Sequence, residues 1–291
     1  MKRTVSLVLS SGSARGIAHI GVIEELERQG FEIRSIAGSS MGALIGGMYA
    51  SGNLHVCKDW LYNLDKRAVF SLIDFTISMN GIVKGNKIIR ELKKIVPDVN
   101  IEDLPVSYAA VATDIRNNKE VIFEEGSLYQ AIRASISIPG IFKPYELKEG
   151  MLIDGAVLNP IPINRVRRTP GDLLIAVDVS APVLPIDTTE SGMLPGWNHY
   201  PVTGSAAAGV NGNLVKSQTE RQLNYYTLLF ECCRSMTQQI SAMMIEQYRP
   251  DILIQLQANA YGAFQFYKSG EIIKAGELAT RNALREYQSK S

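Results

Sequence analysis

Residues 5–47 read VSLVLSSGSARGIAHIGVIEELERQGFEIRSIAGSSMGALIGG, and the order of signals in this stretch decides the fold. Val5–Leu9 is a short apolar run of the length of a buried strand. A Ser/Gly turn follows. Ile17–Gln29 then carries Ala18, Val22, Ile23 and Leu26 at the spacing of one helix face, and Gly30 stands where a helix C′ residue belongs. Ile33–Ala37 reads as a second strand. Gly38-Ser39-Ser40-Met41-Gly42 turns sharply into a helix that runs to about Ser51. A β-α-β-α unit of this kind implies a parallel sheet with right-handed crossovers.

Lys2 and Arg3 precede the first apolar run, as in a signal peptide. The run is too short for that, and Ser10, Ser11 and Gly12 end it, so it is read as a first buried strand. The rest of the chain continues the pattern. Leu54–Val96 is expected to be helical in pieces. Ser107–Thr113 and Glu120–Phe123 read as strands around a turn at Asn117-Asn118. A short helix at Leu128–Ala134 precedes Ser135-Ile136-Ser137-Ile138-Pro139-Gly140. Met151–Ile153 is a short strand ending at Asp154-Gly155, and Leu173–Val179 is a buried strand. From Pro182 to about Asn213 no periodicity survives, which suits a functional loop or linker. Val215–Tyr248 reads as one long or broken helix and Ile252–Leu256 as a late strand. Gly270–Tyr287 reads as a closing helix with Ser269 as N-cap.

The 291 residues are 46% hydrophobic and 20% charged, with a formal net charge of +1. This is ordinary globular composition, and no global field argues for nucleic acid. No apolar run reaches the roughly 18 residues of a membrane span. Of the three cysteines, Cys57, Cys232 and Cys233, the last two are adjacent, so a disulfide framework is not expected and a reducing compartment fits better.

Gly38–Gly42 fits G-x-S-x-G. A nucleophilic serine on a tight strand-to-helix turn needs tiny residues two before and two after it, and Gly38 and Gly42 fill those places. Ala43, Gly46, Gly47 and Ala50 would let the following helix lie close to neighbouring backbone, and its N-terminus favours a developing anion. The bland reading is a Gly-rich turn without chemistry. A hydrolytic serine also needs a base, and the chain has only His19, His55 and His199. The acid-then-histidine order of α/β-hydrolases leaves only His199, in the irregular loop. For each histidine, packing or solvation is the expected role. Aspartate can serve if it meets the serine directly. Asp154, which ends the apolar run Met151–Ile153 before Gly155-Ala156, is the best candidate, with Asp114 and Asp178 as rivals, and spacing alone does not rank the three decisively.

Ser11-Gly12-Ser13-Ala14-Arg15-Gly16 lies between the first strand and first helix, where backbone N–H groups converge on anions. It lacks the G-x-G-x-x-G dinucleotide pattern, and no Gly-Lys-Ser/Thr follows. An oxyanion hole donated by Gly12 and Ser13 competes with a plain turn.

Taken in order, these blocks resemble the patatin-like phospholipase family, over roughly Val5 to Ala181. Ser10–Gly16 with Ile17–Val22 is similar to its oxyanion block, Gly38–Ala43 to its nucleophile elbow, and Asp154-Gly155-Ala156 to its D-G-[GA] block. Gly81–Gly85 and Ala134–Pro144 are similar to two further family segments. The resemblance implies a three-layer α/β sandwich around a central, mostly parallel sheet. With the resemblance covering a catalytic core at 1–181, composition and periodicity divide the rest into a loop or linker at 182–214 and C-terminal helices with a late strand at 215–291 that complete or cap the same domain. The resemblance also implies cofactor- and metal-independent hydrolysis of phospholipid or lysophospholipid acyl esters. Ser40 would be the nucleophile, Asp154 the base, and Gly12 and Ser13 the oxyanion donors. Ser11, Arg15, Gly16, Gly38, Gly42, Gly155 and Ala156 would complete the motifs. The family's block is usually glycine where this chain has Ser10, Ser11 and Ser13, and any of these at positive φ would be strained.

Two rival functions stay open: acyl transfer to a lipid acceptor, and a catalytically silent lipid-binding protein with this serine-rich cradle. The expected setting is cytoplasmic, with peripheral contact at the inner membrane face. Lys87, Arg90 and Lys94, with Lys93 beside them, form a basic helix face suited to anionic headgroups, though a solvated surface is the commoner use. Tyr225, Tyr226, Leu228, Leu229, Phe230, Met236, Met243 and Met244 suit an acyl pocket or lid, with core or dimer packing the more ordinary expectation.

Overall fold

The computed structural model describes residues 3–72, 86–147, 150–182 and 225–290. The expected β-α-β-α opening is present as β1 (Arg3–Leu9), α1 (Ala18–Arg28), β2 (Phe31–Ser39) and α2 (Met41–Ala50). A 3₁₀ turn at Ser13–Ile17 leads into α1, and Gly30 follows the helix at φ 82°, as a C′ glycine should. Then come α3 (Leu54–Tyr62), α4 (Lys66–Leu72), α5 (Asn86–Ile95), β3 (Ser107–Asp114), β4 (Lys119–Phe123) and α6 (Leu128–Ser135). A short hairpin, β5 (Tyr145–Leu147) and β6 (Gly150–Asp154), precedes β7 (Leu173–Ala181). The chain closes with α7 (Tyr225–Tyr248), β8 (Ile252–Gln257) and α8 (Ser269–Lys290).

Among the described residues eight strands form one sheet in the order β5-β6-β3-β2-β1-β7-β8, with β4 also paired to β3. The β3-β2-β1-β7-β8 run is parallel, while β4 and β6 pair antiparallel with β3. Side chains alternate across it. Val5, Leu7 and Leu9 of β1 and Ile175, Val177 and Val179 of β7 join the main core with α1, α2, α6 and α8. Val8, Leu174 and Ala176 face the other way, onto Ile161, Ile163, Val166 and, from α7, Met244 and Ile245. Helices therefore cover both faces, and the fold is an α/β sandwich around a mostly parallel sheet. A bulge at Arg34 shifts the β1–β2 register, which keeps both Ile33 and Ile36 on the main-core face.

Three expectations change. Ser269 is no N-cap: a 3₁₀ turn at Phe266–Lys268 already has the helical sense, so Ser269 enters α8 with helical dihedrals and is buried. Gly46 and Gly47 face the side chains of Ile36 and Leu128 rather than backbone. In α7, Tyr225, Leu228, Leu229, Phe230, Met236 and Met243 are exposed rather than packed in the core. The expectations for residues 183–214, His199 and Gly81–Gly85 lie outside the described residues, as does the start of the Val215–Tyr248 helix. No helix among the described residues is long and apolar enough to cross a membrane.

Candidate active site

The site is built where β2 leaves the sheet. Ser39 pairs with Val111 of β3, and the next residue, Ser40, turns out at φ 54° and ψ −119° into α2. That conformation carries roughly 1–3 kcal/mol of strain for a non-glycine residue, so packing must hold it. The flanking glycines are needed because backbone lies against them. A Cβ on Gly38 would stand 2.4 Å from the Gly42 carbonyl, and one on Gly42 would stand 2.1 Å from the Leu9 carbonyl oxygen.

The departure of β2 leaves a vacant edge on β3, and β6 fills it from the opposite direction. Asp154 pairs with Ala112, one residue along from the Val111 that pairs with Ser39. Strand register thus brings the end of β6 to the elbow. Gly155 allows the approach: a Cβ there would stand 2.1 Å from the Val111 carbonyl oxygen. Ser40 Oγ donates to Asp154 Oδ2 at 2.6 Å, and the other carboxylate oxygen accepts the Ala156 N–H at 2.8 Å. Both side chains are buried. Burial pushes the Asp154 carboxyl up to about 6, against the two hydrogen bonds that favour its charged form.

The rival acids sit elsewhere. Asp114 accepts the backbone N–H groups of Arg116 and Asn117 and the Asn117 side-chain amide, chiefly the last, which holds it below its ordinary value. It stabilises the turn between β3 and β4. Asp178 is buried near the end of β7, accepts the Ser180 N–H, and is also raised to about 6 by burial. Of the three acids, Asp154 alone hydrogen-bonds Ser40. His55 is exposed on α3. His19 is fully buried, its Nε2 lies 2.8 Å from the Ser10 carbonyl oxygen, and burial pushes it down to about 4. A neutral imidazole donating to Ser10 fits this geometry.

The loop Ser10–Gly16 is fixed against both the elbow and β7. A Cβ on Gly16 would meet Met41 Cβ at 2.3 Å, and one on Gly12 would meet Val179 Cγ2 at 2.3 Å. Ser10 N–H donates to Val177 O, Ser10 Oγ accepts from Val179 N–H, and Ser11 N–H donates to Pro160 O. Arg15 turns toward the sheet and donates to Val179 O, Tyr261 O and Ser180 Oγ. Among the described residues, the N–H groups of Gly12 and Ser13 have no acceptor. Of the three serines in glycine positions only Ser13 has positive φ, at 49°, so the expected strain falls on that residue alone.

Sequence reasoning attached no role to Ser135 and Ser137. Ser40 N–H donates to Ser135 Oγ, and Asp154 N–H donates to the Ser137 carbonyl, both at 2.9 Å. The one signal available was the run from Ala134 to Pro144. On α5, three of the four basic side chains are already engaged: Lys87 with Ser71, Lys93 with Asp98 and Lys94 with Glu91.

A family model of patatin-like phospholipases matches residues 7–166. An NTE family protein of Mycobacterium tuberculosis is 46% identical over 176 residues, covering 60% of this chain and 49% of that protein. A lysophospholipase NTE1 of Scheffersomyces stipitis is 34% identical over 181 residues, 61% of this chain and 12% of that protein. This chain therefore spans about half or less of the length of these curated relatives. Among solved structures, VipD from Legionella pneumophila aligns with a TM-score of 0.49 at 13% identity, over 99% of this chain and 67% of that one. With the family model matching more than half of its length, the chain belongs to the patatin-like phospholipase family.

Proposed function

We propose that the chain is a lipid acyl ester hydrolase, of phospholipase A or lysophospholipase type, acting through an acyl-serine intermediate. The observation that carries this reading is the 2.6 Å bond from Ser40 Oγ to Asp154 Oδ2 at a strained elbow. Asp154 takes the Ser40 proton as Oγ attacks the acyl carbonyl carbon. The resulting oxyanion is held by the Gly12 and Ser13 N–H groups, each such donor typically being worth about 2.7–4 kcal/mol of barrier. Collapse breaks the ester C–O bond, and the protonated Asp154 returns its proton to the departing lipid alcohol. Water then attacks the acyl-serine, giving its proton to Asp154, and Ser40 leaves with a proton as the fatty acid departs.

Substrate class is supported by the patatin-like phospholipase model and by the lysophospholipase name of one relative. The test is labelling with a fluorophosphonate probe, peptide mapping of the label, and a panel of phospholipid and lysophospholipid esters. The expected result is one label on Ser40 and hydrolysis that Ser40→Ala abolishes. Folded protein that takes no label, or full turnover by Ser40→Ala, would refute the proposal. Lipid binding without turnover would favour the silent reading instead.

A further inference from the structure

We propose that Ser135 is a positioning residue for the nucleophile, holding the Ser40 backbone in its strained turn; this rests on the hydrolase reading above. The argument starts from the β2–β3 register. In a parallel ladder with Ser39 opposite Val111, the next N–H, that of Ser40, would donate to the Val111 carbonyl. At Ser40 the chain swings out instead. The hydroxyl of Ser135, fully buried in the last turn of α6, takes both ends of the interrupted bond. It accepts from Ser40 N–H at 2.9 Å and donates to Val111 O at 2.7 Å. One oxygen atom is inserted into the ladder where the strand peels away.

The same turn of chain braces the base. The carbonyl of Ser137 accepts Asp154 N–H at 2.9 Å. Ser137 is in turn fixed by Arg133, whose guanidinium donates to Ser137 Oγ and to Lys143 O, while Ser137 Oγ donates to Arg133 O. Ser40 and Asp154 are 114 positions apart, yet both backbones are referenced to Ser135–Ser137. Without the Ser135 hydroxyl, the Ser40 N–H and Val111 C=O are buried and unpaired. The elbow then relaxes toward β3 to pair them directly, and Ser40 Oγ moves off Asp154. The engaged Ser40 N–H is also unavailable to an oxyanion.

The experiment compares wild type with Ser135→Ala, Ser135→Cys and Ser135→Thr, each checked for folding by circular dichroism. It measures the rate of fluorophosphonate labelling at Ser40, and kcat and KM per labelled site on a p-nitrophenyl ester. Cysteine keeps the volume with a poor donor and acceptor, and threonine keeps the hydroxyl. The expected result is labelling and kcat roughly 10- to 100-fold lower for alanine and cysteine, with KM within about twofold and threonine restoring rates to within about threefold of wild type. A purely structural role would lower thermal stability but leave kcat per labelled site unchanged. Folded Ser135→Ala or Ser135→Cys labelling at the wild-type rate overturns the proposal while the hydrolase reading stands. If neither variant folds but Ser135→Thr does, the hydroxyl serves folding and the proposal fails. A wild-type protein that neither labels nor hydrolyses the ester refutes the hydrolase reading and this proposal with it.

Discussion

Replacing Asp154 by asparagine should make the protein more stable and less active at once, and the two effects have one cause. The Asp154 carboxyl is raised from an ordinary 3.8 to about 6 because burial penalises its charge. Each pKa unit is worth about 1.4 kcal/mol, so keeping this group ionised at pH 7 works against folding by roughly 3 kcal/mol. Asparagine has nearly the same shape and no charge. It keeps an acceptor for one of the two hydrogen bonds, from Ser40 Oγ or Ala156 N–H, and weakens the other. Allowing for that loss, Asp154→Asn should gain about 1–3 kcal/mol at pH 7.5, some 2–4 °C in Tm per kcal/mol for a domain approaching this size.

The sign depends on pH. Between about 3.8 and 6 the native state holds a proton that the unfolded chain has released, so wild-type stability falls as pH rises through that window. Below it both states are protonated and the gain from asparagine vanishes. Asp178 is also raised to about 6, so the wild-type curve alone mixes two carboxyls. The difference between wild type and variant isolates Asp154. The assay is urea denaturation of both proteins from pH 4 to 8, alongside ester hydrolysis. Turnover should fall roughly 10²- to 10⁴-fold, the usual worth of a general base. A stability difference that is flat with pH refutes the buried-charge argument. Near-wild-type turnover by Asp154→Asn refutes the base assignment.

Three further outcomes follow from the same geometry. In wild type, kcat/KM should rise about tenfold per pH unit up to about 6 and then level off, because in the proposed mechanism Asp154 is ionised when it accepts the Ser40 proton; a pH–rate profile without an acid limb near 6 contradicts this. Gly155→Ala should cut activity by roughly 10²-fold or more and lower Tm, since its Cβ would stand 2.1 Å from Val111 O and push Asp154 from the elbow; ester turnover and thermal melts check both. Ser13→Gly should raise stability by about 0.5–1 kcal/mol, because relief of positive φ outweighs the added chain entropy, while activity stays within a few-fold; lost activity would mean that the serine side chain itself acts.

What could be read from sequence was what neighbours along the chain decide. The elbow was legible because Gly38 and Gly42 are demanded by contacts that every tight strand-to-helix turn makes. Gly30 was legible for the same kind of reason. The choice among Asp154, Asp114 and Asp178 was not, because it turns on β6 entering antiparallel beside β3 at the place β2 vacates, a pairing between distant segments. Ser135 was invisible on the same grounds: its partners are Ser40 and Val111, 95 and 24 positions away. In α7 the apolar residues were legible but not which of them the fold covers, since a helical pattern says nothing about what lies opposite.

Among the described residues no histidine meets Ser40 or Asp154, and the burial of that pair is the physical counterpart. A general base works best when its pKa lies near the operating pH, which is why imidazole, at about 6.5 unperturbed, is the usual partner of serine. An exposed aspartate near 3.9 would be too weak a base to take a hydroxyl proton. In the proposed chemistry the sheet does what the second member of a triad would do. By closing β6 against β3 beside the elbow, it desolvates Asp154 and brings it to about 6, close to imidazole, with its oxygen already on Ser40 Oγ. In the proposed chemistry β-sheet register holds the base through the Asp154 backbone, and the Ala156 N–H holds its carboxylate. The same burial that makes Asp154 strong enough to act makes it unfavourable to keep ionised, so in the proposed chemistry the instability that asparagine would relieve is the source of the basicity it would remove.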